Sequence, residues 1–137
     1  FEAGTQSAAD VVGLSAAVDY LRNLGMDAVH DHGQELTAKA LDELSNLGGV
    51  KVIGPKTMKD RGAAISFVVD GIHPHDVGQF LDADGVAVRV GHHCAWPVCR
   101  RMEVPATTRA SFYIYNEHSE ITQMIESIKK AQKFFGV

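Results

Sequence analysis

The apolar positions of this chain follow a helical period in some stretches and form short strand-like runs in others. Ser7 with Asp10 resembles a helix-opening capping box, and Val11, Leu14, Val18 and Leu21 then recur at helical spacing, with Ala17 and Leu24 widening the stripe and Gly25 stopping it. A second helix is predicted over Ala28–Leu47, with Val29, Leu36, Ala40, Leu44 and Leu47 apolar and Asp31, Glu35, Lys39, Asp42 and Glu43 on a solvated face; Gly48-Gly49 ends it. Val50–Ile53 and Ala64–Val69 read as strands, joined by a polar loop over Lys56–Gly62. His73-Pro74 opens a third helix with Asp76 in its first turn and Val77, Phe80 and Leu81 on its apolar side. Asp84-Gly85 turns this helix into a strand over Val86–Val90, and Pro97 and Pro105 predict an irregular excursion after it.

Arg109–Tyr115 alternates again, with Ala110, Phe112 and Ile114 on one face and Arg109, Ser111, Tyr113 and Tyr115 on the other. Asn116 is expected to cap a last helix that buries Ile121, Met124, Ile128, Ala131 and Phe135. Phe1 to Gln6 reads as an extended or loop lead-in, and no internal repeat, low-complexity tract or linker interrupts the series. The predicted architecture is α+β: a small mixed or antiparallel sheet of about four strands packed with about four helices.

A length of 137 residues suits a single domain, and an apolar fraction of 45% is enough for a core. The formal charge of −4 argues against a nucleic-acid partner, and Arg100-Arg101 makes only a short basic step. No run of about 20 apolar residues is present, so no membrane span is expected. Two cysteines, Cys94 and Cys99, are too few for a secreted disulfide framework, although a bridge between them is sterically feasible; a reducing, cytoplasmic compartment is expected. The chain opens without Met at Phe1-Glu2-Ala3-Gly4-Thr5 and reads as a piece of something longer.

The chemistry concentrates in Arg89-Val90-Gly91-His92-His93-Cys94-Ala95, where a strand breaks into a loop. Gly91 permits a backbone path that a Cβ would hinder. The loop presents a thiol beside two imidazoles and near a guanidinium, and nearby positive charge favours the nucleophilic thiolate. Two readings stand at this point: a reactive or metal-binding Cys94, or a small buried apolar residue. His73, His75, His92, His93, Cys94 and Cys99 are ligand types that zinc favours, but their spacing matches no finger or ribbon pattern.

Three segments together resemble the carboxy-terminal region of a SufS-type cysteine desulfurase, one of the class V aminotransferase-like enzymes that use pyridoxal phosphate. They are Phe1-Glu2-Ala3-Gly4-Thr5, then Arg89-Val90-Gly91-His92-His93-Cys94-Ala95, then Ala106 to Asn116 with its Arg109-Ala110-Ser111-Phe112 strand. His73-Pro74-His75-Asp76-Val77 and Phe80-Leu81-Asp82 fit as well, so the resemblance covers essentially all 137 residues. It implies that residues 1–137 are the small C-terminal domain of a fold type I pyridoxal-phosphate enzyme, a homodimer that converts L-cysteine to L-alanine. The sulfur would serve iron–sulfur cluster assembly, passing to an acceptor of SufU or SufE type.

Residue by residue, the resemblance makes Cys94 the nucleophile and persulfide carrier, and Arg109 the clamp on the substrate carboxylate. His92 and Arg89 would line the substrate side of the loop. Thr5 would reach across the dimer interface to the cofactor phosphate, and His75 would ligate the zinc of a SufU-type acceptor. Trp96 stands where relatives often carry a polar or smaller residue, and Cys99 matches no catalytic position. The cofactor's lysine, its aspartate and its stacking aromatic lie upstream of Phe1 in the family, and Lys39, Lys51, Lys56, Lys59, Lys129, Lys130 and Lys133 match none of these. The chain alone is therefore expected neither to bind pyridoxal phosphate well nor to desulfurate cysteine. A selenocysteine lyase or another class V enzyme is the alternative. The Cys94 loop is expected to be mobile, and the first helix, whose apolar stripe is broad, to pack back on the sheet, swap between copies or fray.

Overall fold

The computed structural model describes residues 3–137; Phe1 and Glu2, the start of the expected lead-in, lie outside the described residues. The elements run α1 (Ala8–Leu24), α2 (Met26–Asn46), β1 (Val50–Ile53), β2 (Ala64–Val69), α3 (Pro74–Ala83), β3 (Arg89–Gly91), α4 (Trp96–Arg101), β4 (Thr107–Ser111) and α5 (His118–Phe135). The four strands form one sheet in the order β1-β2-β4-β3, every neighbouring pair antiparallel. The α+β expectation holds, with five helices and four strands among the described residues.

Strand alternation sorts the sheet into two faces. Ile65, Phe67 and Val69 of β2 and Ala110 of β4 turn inward and meet Leu36, Ala40 and Leu44 of α2, Val77 and Leu81 of α3, and Ile121 and Ile128 of α5. Burial of these side chains is the main stabilising term of the fold. The opposite face carries Ser66, Arg109 and Arg89 in one row, since Ser66 pairs with Arg109 and Arg109 with Arg89.

Several elements depart from the pattern in the sequence, each for a local reason. Residues Trp96–Arg101 form a short helix rather than an irregular excursion. Pro97 falls in its first turn, where the missing N–H has no intrahelical partner to lose. Strand β3 is three residues long, its ladder with β4 running only over Thr107, Thr108 and Arg109. Val86, expected in the strand, instead ties back to α3 through its amide, which donates to the Leu81 carbonyl at 2.8 Å. Strand β4 starts earlier than expected and stops at Ser111 rather than Tyr115; beyond it the Tyr113 amide donates to Asn116 Oδ1 at 2.8 Å and closes a turn. The expected inward position of Ala110 holds, and Phe112 packs against the core.

Asn116 therefore does not cap α5. Glu117 does, in a reciprocal box with Glu120, whose carboxylate accepts the Glu117 amide at 2.7 Å. Phe135, expected in the core, is exposed and lies edge-on to Phe80 with ring centroids 5.7 Å apart.

Helix α2 starts at Met26, two residues early, because Gly25 at φ +89° ends α1 and opens α2 in one step. Ser7 sits at the α1 N-cap but makes no capping bond, so the expected box with Asp10 does not form. Helix α1 is regular throughout, yet no residue of it is buried, and Val12 and Leu14 are 70% and 66% exposed. It does not pack back on the sheet. Among the described residues no helix is long and apolar enough to cross a membrane.

Candidate active site

Two contacts place β3. Gly78 of α3 lies so close to Val90 that a Cβ at that position would fall 2.5 Å from Val90 Cγ2. The Thr108 hydroxyl, opposite Val90 on β4, donates to the Pro74 carbonyl at 3.4 Å. The N-terminal end of α3 and strand β4 thus hold β3 from two sides, and the chain leaves β3 at Gly91 with φ +128°.

A tight turn follows at once. The Ala95 amide donates to the His92 carbonyl at 2.8 Å, and both central residues, His93 and Cys94, have positive φ, +53° and +58°. Positive φ at both central positions belongs to the type I′ family of turns, which favours Gly or Asn there. For residues bearing a Cβ, such left-handed geometry costs about 1–2 kcal/mol each. Strain of this kind survives only where surroundings enforce it, and it gathers at functional sites. Here the turn carries the thiol outward: Cys94 is exposed, which removes the reading of a buried structural cysteine. Helix α4 begins directly after the turn, and the rings of His92 and Trp96 stack across it with centroids 3.5 Å apart and planes 13° from parallel.

Next to the turn lies a positive row. Arg89 and Arg109 are direct cross-strand partners, with Ser66 beyond Arg109. The sequence puts both arginines on strands but gives no register, so their pairing was not visible in it. Among the described residues two buried side-chain nitrogens have no partner, Arg109 Nε and His93 Nδ1. An unsatisfied buried donor is costly, and a guanidinium so placed is satisfied by an oxyanion.

His93, named in the sequence only as an imidazole beside the thiol and a candidate zinc ligand, connects the turn to β4: its Nε2 and Thr107 Oγ1 are hydrogen-bonded at 2.9 Å. Thr107 is itself buried and pairs with Gly91 across the ladder. Burial lowers the His93 pKa from the usual imidazole value, and the positive charges of Arg109 and Arg89 and the His92 ring lower it further, against the Thr107 hydrogen bond. A neutral imidazole is therefore favoured in the middle of an otherwise cationic cluster.

The structure brings together Arg89, His92, Cys94 and Arg109 at the β3–β4 end of the sheet. His75 is exposed near the start of α3, stacked on His73 at 5.4 Å, while its amide donates to His73 Nδ1 at 3.2 Å. Thr5 is exposed in the segment ahead of α1. Cys99 is buried in α4, and both cysteines are free thiols. Among the described residues no three His, Cys, Asp or Glu side chains converge on one point.

The class-V aminotransferase family pattern matches residues 1–124. A Mycobacterium leprae protein named "Probable cysteine desulfurase 2" is 54% identical over 136 residues, which cover 99% of this chain and 32% of that protein. The chain thus spans about a third of the length of the curated relatives it matches. Among solved structures, the cysteine desulfurase CsdA from Escherichia coli superposes with a TM-score of 0.87 at 30% identity, covering 98% of this chain and 33% of that one. An apo cysteine desulfurase from Thermococcus onnurineus NA1 gives 0.86 at 36% identity, covering 98% and 33%. The fold is that of the matching part of these enzymes, and by sequence and structure together this chain belongs to the class V aminotransferase family.

Proposed function

We propose that this chain is the small C-terminal domain of a SufS-type cysteine desulfurase, which takes sulfur from L-cysteine as a persulfide on Cys94. The observation that carries this reading is an exposed thiol on a strained turn, separated by Val90 and Gly91 from a paired Arg89–Arg109 row whose Arg109 Nε lacks a partner. The identity to a protein named as a cysteine desulfurase supports it.

The substrate carboxylate meets the Arg109 guanidinium, which offers parallel donors in a planar fork, and Arg89 adds positive charge beside it. The Cys94 thiolate attacks the substrate sulfur. The Cβ–S bond breaks, its electron pair remains with the substrate carbon, and uptake of a proton there gives alanine while the sulfur stays on Cys94. Neutral His93 in the turn, beside Cys94, is available to take or return a proton at Nδ1, the nitrogen without a partner.

The residues here fit the substrate side of a pyridoxal phosphate site, since the unpartnered guanidinium is a carboxylate partner, but two of the lysines are already engaged: Lys39 with Glu43 and Lys130 with Asp84. Pyridoxal phosphate supplies the electron sink of such reactions. Thr5 is the residue of this chain proposed to contact its phosphate, across a homodimer interface. The exposed His75 is proposed to meet the zinc of a SufU-type acceptor, with a SufE-type acceptor as the alternative, and the sulfur to serve iron–sulfur cluster assembly in the cytoplasm.

The test compares the complete protein with its Cys94→Ala variant for sulfide release from L-cysteine, and maps adducts by mass spectrometry. The expected result is loss of activity in the variant and, in the wild type, a gain of about 32 Da, one sulfur atom, on Cys94. Residues 1–137 alone should show neither turnover nor a cofactor absorbance band. Full activity of Cys94→Ala with no adduct on Cys94 would overturn the reading.

A further inference from the structure

The turn that carries Cys94 is held by its neighbours rather than by its own residue preferences. His93 and Cys94 both sit at positive φ without being glycine or asparagine. The backbone bond from the Ala95 amide to the His92 carbonyl closes the turn but does not select this hand, since right- and left-handed turns share it. Three other contacts are available. His93 is tied to Thr107 on β4, β3 leads into the turn at Gly91, and the His92 ring lies face to face with Trp96, 3.5 Å away. The stack spans the turn from its first residue to the residue just after its last, so its closure fixes the distance between the two arms.

Trp96 is placed for this and for little else. It is 56% exposed, so its ring contributes little to the core. Helix α4 is anchored by buried Cys99, and its end is secured by the Met102 amide donating to the Val98 carbonyl at 2.9 Å and the Val104 amide to the Cys99 carbonyl at 3.1 Å. The helix therefore has its own support, and the exposed tryptophan is left to close on His92.

We infer that the His92–Trp96 stack is a clamp that holds the His92–Ala95 turn in its left-handed form and so sets the position of the Cys94 thiol. Trp96 is a positioning residue acting through the backbone of the turn. Movement of Cys94 away from this position requires the stack to open. The inference rests on the reading of Cys94 as sulfur carrier for its role in the reaction, but its structural part stands independently of that reading.

The test is carried out in the complete protein with Trp96→Ala, Trp96→Phe, His92→Ala and the double alanine variant. Hydrogen exchange, read on peptides covering residues 92–97, reports opening of the turn. Peptides containing Met102 and Val104 report on α4. In Trp96→Ala the turn should exchange about tenfold faster, the scale of an aromatic pair. The α4 amides should be unchanged, Trp96→Phe should stay within about twofold of wild type, and the double variant should match either single one. In a single turnover with L-cysteine, sulfur transfer to Cys94 should slow in Trp96→Ala and recover in Trp96→Phe, with KM for cysteine unaltered. Unchanged exchange at the turn, or a rise shared by α4, overturns the clamp. An unaltered transfer rate or a raised KM overturns the positioning role. If the wild type forms no adduct on Cys94, the carrier reading fails, and the exchange data still decide whether the clamp exists.

Discussion

Arg89 and Arg109 stand directly opposite one another on the antiparallel β3–β4 pair. Like charges so placed repel and destabilise a ladder by a few tenths of a kcal/mol or more. A pair of this kind reads as a feature kept for an anion rather than for the fold. Arg109→Ala should lower kcat/KM for L-cysteine in the complete protein by about 100-fold, the scale of a charge-assisted contact of about 2–3 kcal/mol. Arg109→Lys should recover little of this, because an ammonium cannot supply the planar fork. Arg89→Ala should instead raise stability in urea by about 0.5 kcal/mol by relieving the repulsion. A destabilised Arg89→Ala would show that the row is structural.

The neutral state of His93 makes stability depend on pH. Unfolded, the imidazole protonates near its usual value of 6.5; folded, burial and then Arg109 and Arg89 hold that value lower. Between the two values the unfolded chain binds more protons, so stability rises with pH there. The contribution is complete above about 6.5 and is lost as the pH falls toward the folded value. Urea midpoints measured from neutral pH down to about pH 5 should fall more steeply for wild type than for His93→Gln, which carries no titrating ring. Equal slopes would show that His93 does not contribute.

Gly78 should not tolerate a methyl group. A Cβ there would lie 2.5 Å from Val90 Cγ2, so Gly78→Ala has to push β3 away from α3. Overpacking of this kind costs about 1–3 kcal/mol. Val90→Ala removes the opposing methyls, and the pair Gly78→Ala with Val90→Ala should be more stable in urea than the sum of the single effects indicates.

The apolar stripes of α1 and α2 should differ in what they contribute. Leu44→Ala in α2, at a fully buried position, should cost about 2–5 kcal/mol. Leu14→Ala in α1, where the side chain is 66% exposed, should stay within about 0.5 kcal/mol in this chain. Comparable losses in urea would mean that α1 is packed in solution.

Much of the fold is legible in local pattern. The inward faces of α2 and β2 and the Pro74 start of α3 all follow from residue spacing and from what Pro and apolar side chains permit. The pattern fails where a neighbour decides. Leu14 and Leu44 occupy equally good helical stripes, yet only the second has a sheet beneath it. Val86 and Val88 have strand character but take no part in the ladder, Val86 being tied back to α3, and Asn116 is displaced from the cap by Glu117 because Glu120 can return the bond.

The residue types of the site are written in the order of the amino acids: a cysteine following Gly-His-His at the end of a β-branched run, and an arginine on an alternating strand, with the spacing that marks the family. Those are properties of local chemistry, carried by side-chain identity and order. It took the folded chain to put Arg89 opposite Arg109, His93 against Thr107 and Trp96 over His92, and to turn Cys94 outward at positive φ. Each depends on strand register or on a turn of particular hand. Register is fixed by how two faces bury against a core, and the hand of a strained turn by the contacts that hold it, so neither can be read from one segment taken alone.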